Sequence, residues 1–347
     1  MNVKHKRPRL FVFAALTAAA LAVPARADAV EDFYRGKTID MIIPTSPGGD
    51  YDIRARLLAR RLPKFIPGHP NIVARNMPGG LGVAAANYMM KIAPHDGTAI
   101  MAIFQNMSSL QAIGGPGVEF DVRRLGWLGN TTNSPNVINS WHTTGVKTIQ
   151  DVMERELIVG APGAASTSYI YPAALNALVG TKFKIVAGYP GGNDVNLAME
   201  KGEVGGRGSN SLASWKSGHP HWIAEKKIYF LVQIAPERSD ELPDVPLMAD
   251  LARNESDRAV LRFISADIGV SRAFVTTPDT PPERLAALRR AFDQMMADPE
   301  FLADADQTRM DISPSSGETT QKLAASILAT PPDVVARAKR IMESGGK

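Results

Sequence analysis

The chain has no cysteine, which excludes disulfides, thiolate metal sites, a cysteine nucleophile and a lipid-bearing N-terminal cysteine. No G-x-S-x-G marks a hydrolase serine. Beyond residue 27 no stretch is long and apolar enough to span a bilayer, and the surplus of positive charge disappears as well. The first 27 residues carry Lys4, Lys6, Arg7, Arg9 and Arg26 and no acid, so the formal +4 of the whole chain falls to −1 for the remainder. A nucleic-acid partner thereby loses its electrostatic support.

What that first segment does have is a basic start, an apolar run from Leu10 to Ala22 and the triplet Ala25-Arg26-Ala27. This is the pattern of a secretory signal peptide over residues 1–27, and it predicts cleavage after Ala27 and export. The remaining length, about 320 residues, has room for two domains with a large core.

Strand and helix signals alternate through that remainder, as in an α/β protein with a mostly parallel sheet. The run Met41-Ile42-Ile43 reads as a strand covered on both faces and Pro44 ends it. After a turn at Gly48-Gly49, Ile53, Leu57, Leu58, Leu62 and Phe65 recur at helical spacing, which places Arg54, Arg56, Arg60 and Arg61 on the opposite face. Two readings of the turn stand side by side. Bare N–H groups at the glycines and the helix start could seat an anion, or Asp50 or Asp52 could cap the helix, with Asp52 and Arg56 as an i,i+4 pair. Three further glycine-turn units follow at Asn71 to Met90, Leu157 to Leu178 and Lys184 to Lys201, the last stopped by Gly202. The C-terminal third is helical, with capping boxes expected at Thr280 to Glu283 and at Ser315 to Glu318.

Other motifs are weaker. Gly80 to Ala85 fits G-x-G-x-x-A, but no acidic residue ends a strand about 20 residues later, as dinucleotide binding needs. His219-Pro220-His221 lacks a carboxylate partner and reads as a surface turn rather than a metal site. No cofactor, metal or catalytic constellation is expected.

Several short motifs in order resemble those of the tripartite tricarboxylate transporter receptors, the TctC or Bug family of periplasmic solute-binding proteins. They are Pro47-Gly48-Gly49 with Asp52-Ile53-Arg54-Ala55-Arg56, Asn76-Met77-Pro78-Gly79-Gly80, Ala93 to Thr98, Tyr189-Pro190-Gly191, Gly202-Glu203-Val204 and Pro243 to Pro246. The resemblance implies a type II periplasmic-binding-protein fold: two α/β lobes joined by a two-crossing hinge, with residues 28–134 plus 237–347 in lobe one and 135–236 in lobe two. It implies a small carboxylate ligand, two membrane-subunit partners of a transporter or else a signalling sensor, and a monomer. Carried over by motif, the ligand would meet Ser46, Pro47, Gly48, Gly49 and Asp52 in lobe one and Gly163, Ala164, Ala165, Ser166, Thr167 and Tyr189 in lobe two. Gln105, Asn106 and Ser209 follow by position. Arg207 departs from the family pattern, as does Asp50, and Arg207 is a further candidate for an acidic group.

Overall fold

The computed structural model describes residues 24–164 and 166–344. The basic and apolar parts of the expected signal peptide, and Ala165, lie outside the described residues.

Among the described residues, eleven strands form two sheets. The strands are β1 (Thr38–Ile43), β2 (Asn71–Asn76), β3 (Ala99–Ala102), β4 (Gly126–Asn130), β5 (Asn136–Trp141), β6 (Leu157–Ala161), β7 (Phe183–Ala187), β8 (Gly206–Ser211), β9 (Ile228–Ile234), β10 (Ala273–Thr276) and β11 (Ser315–Ser316). The helices are α1 (Pro24–Tyr34), α2 (Asp50–Arg61), α3 (Val83–Lys91), α4 (Met107–Ala112), α5 (Ile149–Glu154), α6 (Thr167–Leu178), α7 (Gly192–Glu200), α8 (Leu212–Gly218), α9 (Pro220–Ala224), α10 (Glu255–Ala266), α11 (Pro282–Met296), α12 (Pro299–Gln307), α13 (Gly317–Leu328) and α14 (Pro332–Ser344).

The first sheet has the order β11-β4-β10-β3-β1-β2, the second β7-β6-β8-β5-β9. In the first, β1 runs parallel to both β2 and β3, and β10 is antiparallel to β3 and β4. In the second, β6 is parallel to β7 and β8, and β5 is antiparallel to β8 and β9. The chain passes from one sheet to the other after β4 and returns after β9. All four glycine-turn units expected from the sequence are strand–turn–helix units here: β1–α2, β2–α3, β6–α6 and β7–α7.

Ile39, Met41, Ile42 and Ile43 are all buried, because β1 lies inside the first sheet with helices on both faces. On one face of β1 the core gathers Met41, Leu58, Phe274 and Phe292. On the other it runs continuously from Ile42, Met101 and Trp127 through Leu261 of α10 and Val334 of α14 to Val159 and Leu175 in the second sheet's layer. A third cluster, Val195, Met199, Trp215 and Trp222, fills the opposite face of the second sheet.

Two local expectations are corrected. On α2, Leu57 and Leu58 of the apolar stripe are buried as read from spacing, and Leu62 after it, but Ile53 is 43% exposed and Arg54 is buried at 5%. The helix turns Tyr51, Ala55 and Leu58 to the core, and Arg54 is carried inward with acceptors around it. At the C-terminal third, α11 starts without a side-chain cap, since Thr280 Oγ1 donates to the carbonyl of Thr277 instead. The cap of α13 is Ser316, whose hydroxyl accepts from the Thr319 N–H, one residue later than the box at Ser315.

Candidate functional site

Between the two sheets lies a pocket of about 320 Å³, lined from both sides. The first sheet's elements contribute Asp50, Ile53 and Arg54 of α2, Gln105 after β3, Ser271 and Arg272 before β10, and Thr308 to Asp311 after α12. The second contributes Asn136 of β5, Ser211 of β8, and Ala213, Ser214, Ser217 and Gly218 of α8. Thr132 and Ser134 come from the first crossing.

The floor is a charged knot. Arg54 donates to Thr131 Oγ1 at 3.1 Å, to the Asp311 carbonyl at 3.2 Å and to Asp50 at 3.3 Å, while its Nε is buried with no partner. Arg272 also pairs with Asp50 and reaches Tyr51 Oη at 3.1 Å and Gln105 Oε1 at 3.3 Å, its guanidinium stacked 4.5 Å over the Tyr51 ring. Burial alone would push the Asp50 carboxyl up, but Arg272 and Arg54 beside it hold it below its ordinary range. At the mouth, Arg309 donates to the Ser217 carbonyl at 3.1 Å and so ties the two sides together. Three arginines thus face two aspartates, Asp50 and Asp311, which leaves the lining with a positive balance suited to an acid.

In the loop read either as an anion seat or as an aspartate-capped turn, one donor, the Gly48 N–H, is taken by Asp52. Asp52 is 4% exposed; it accepts from the Gly48 N–H at 2.9 Å, from Arg56 at 2.9 Å and from Asn76 at 2.8 Å. The Gly48 N–H is therefore not a bare donor, and Asp52 holds the loop instead of facing the pocket. Asp50, at the first turn of α2, supplies the negative charge that a helix start favours.

Of the residues expected to meet a ligand, Gln105 lines the pocket, whereas Ser46, Pro47, Gly48, Gly49, Asp52, Asn106, Gly163, Ala164, Ser166, Thr167, Tyr189, Arg207 and Ser209 are not among its lining residues. Asn106 precedes α4 and its Oδ1 is buried without a partner. Ser166 starts α6 and closes a turn onto the Gly163 carbonyl at 2.6 Å. Ser209 is buried and accepts from Asn136, a lining residue, at 3.0 Å. Tyr189 lies against Gly160 and Val195 in the third cluster, and burial raises its hydroxyl pKa. His219 links α8 to α9 and stacks on Trp222 at 4.2 Å. The residues missed from sequence are Asp50's partner Arg272, Arg309 and the α8 serines. Arg272 had one signal, an isolated arginine directly before the apolar run AFV of β10.

Two sheets, two crossings and a pocket between them define the class: this is the type II periplasmic-binding-protein fold, two α/β lobes joined by a two-crossing hinge. Within that class the chain has the fold of the TctC and Bug solute-binding proteins, as its motif order implied. A TctC solute-binding protein from Polaromonas, without ligand, superposes with a TM-score of 0.68 at 19% identity, over 88% of this chain and 99% of that one. Rpa4515 of R. palustris, solved with adipate, gives 0.59 at 18% identity, over 89% and 97%. The periplasmic binding protein BugD gives 0.58 at 17% identity, over 89% and 98%. Among curated proteins, a UPF0065 protein from the gbd 5' region of Cupriavidus necator is 26% identical over 259 residues, 72% of this chain and 75% of that protein. No family model matches the chain.

Proposed function

We propose that this protein is a periplasmic solute-binding receptor that closes two lobes on a small organic acid and hands it to a tripartite tricarboxylate-type membrane transporter, with no chemical turnover. The lobes are residues 28–134 with 237–347, and 135–236; the chain is exported with cleavage after Ala27 and works as a monomer. The observation that carries this reading is the pocket lined from both lobes, with Arg54 and Arg272 at its floor. Binding of adipate by a protein of the same fold is in keeping with it.

A helix start alone gives an anion only about 0.3–1 kcal/mol, whereas micromolar affinity needs about 8 kcal/mol. Lobe closure supplies the difference by adding the α8 hydroxyls and the Arg309 contact and by removing water from the guanidiniums. A thermal-shift panel of small mono- and dicarboxylic acids tests the reading. A bound acid at 100 times its dissociation constant adds about 2.7 kcal/mol of stability, and Arg272→Met should weaken that acid at least tenfold, about 1.4 kcal/mol. If no acid shifts the melting curve, the receptor reading falls.

A further inference from the structure

A second cation stands apart from this pocket. Arg207, on β8, is not among the lining residues; it points into the third core cluster, beside Trp215 and Asn196. Among the described residues its guanidinium donates one hydrogen bond, to Asn196 Oδ1 at 3.2 Å, and its Nε is buried with no partner there. Burial lowers its pKa to about 10, and among the described residues no acidic neighbour counters that shift. A guanidinium this desolvated and without a carboxylate is a standing cost.

Its position makes the cost larger. The guanidinium lies directly on the Cα of Gly192, so that a Cβ there would collide with Cζ and both terminal nitrogens. Gly192 is the first residue of α7, and no side chain caps that helix. Arg207 therefore places a positive charge against the positive end of a helix dipole. Asp194, in the same turn, is exposed and turns toward Gly191, not toward Arg207. His219, which contacts Asn196 at 3.1 Å, adds no negative charge. The acid of that turn thus serves the helix start and not the guanidinium, against which no carboxylate lies among the described residues, and a guanidinium fork beside first-turn N–H groups matches the oxygens of an oxyanion.

We propose that Arg207 and the first turn of α7 form a seat for a small oxyanion, a carboxylate or phosphate group, in the second lobe. The seat is independent of which acid the interlobe pocket takes.

The test follows the backbone amides of Gly192 and Asn193 by NMR in the ¹⁵N-labelled protein. Inorganic phosphate alone should move both, with at least tenfold weaker binding in Arg207→Met. A second arm adds adipate. If adipate itself moves Gly192 and competes with phosphate, the seat holds the far end of a dicarboxylate ligand; if phosphate moves Gly192 equally with and without adipate, it holds a free anion. Arg207→Met should also melt no lower than the parent without anion, because an uncompensated buried charge has been removed. Gly192→Ala, which keeps the charge but displaces the guanidinium, should lose phosphate binding too. The seat is refuted if neither anion moves Gly192, if the shift persists in Arg207→Met, or if that variant melts lower and no anion acts on the parent. Failure of the acid panel would leave the phosphate arm standing, so the two proposals fail separately.

Discussion

At the scale of single residues, two aspartates show opposite answers to burial, Asp50 in the pocket lining and Asp267 outside it. Asp50 bridges Arg54 and Arg272, so it occupies part of the guanidinium surface an incoming acid would use. Asp50→Asn removes that competing charge while keeping the shape; acid affinity measured by calorimetry should rise several-fold, and a fall would show that Asp50 contacts the ligand favourably. Asp267, before β10, is buried and unlike Asp50 has no arginine. One oxygen is unpartnered, and burial raises its carboxyl to about 7 against hydrogen bonds from Ser109. The folded state therefore binds this proton more tightly than the unfolded chain does. The stability so gained is present below the ordinary carboxylate pKa of about 4 and is lost as pH rises toward 7. Asp267→Asn should melt higher than the parent at pH 8, with the difference shrinking toward pH 4; a difference that does not depend on pH would remove Asp267 as its source.

Elements are placed by close approach. Gly208 lets β8 pass against the Ser168 carbonyl and Pro172 of α6, which brings Ser168 Oγ within 3.0 Å of the Ser209 carbonyl. Gly208→Ala puts a methyl group into that backbone contact, an overpacking expected to cost at least 1–3 kcal/mol. Urea unfolding measures it, and an unchanged midpoint would show that α6 is free to shift. The strand–glycine–helix order was legible because burial on both faces and helical spacing are local patterns. The facing of the first turn of α2 was not: Ile53 and Arg54 exchange roles because acceptors from Thr131 and Asp311 lie far along the chain.

For the whole molecule, α10 and α14 pack on one another and against α6 of the second lobe, so the core continues past the crossings. In the proposed receptor, closure works at the pocket side, where Arg309 to Ser217 ties the two lobes. Small-angle scattering with and without a stabilising acid should show a smaller radius of gyration in the loaded protein. Arg309→Ala should reduce that change without altering the unloaded fold, and an unchanged radius on loading would exclude closure.

The sequence by itself determined the alternation of strands and helices, the glycine turns between them and, through the order of short motifs, the class of fold. These depend on residues within a turn or a heptad of one another. Only the tertiary structure decided which charges meet: Arg272 reaches Asp50 across 222 positions, Arg61 reaches Asp304 across 243, and Asp52 turns inward to take the Gly48 N–H that sequence alone left open to a ligand. Periodicity reports which face of an element is buried, but a pocket is built from the ends of elements brought together by the crossings, and its partners carry no local signature of one another.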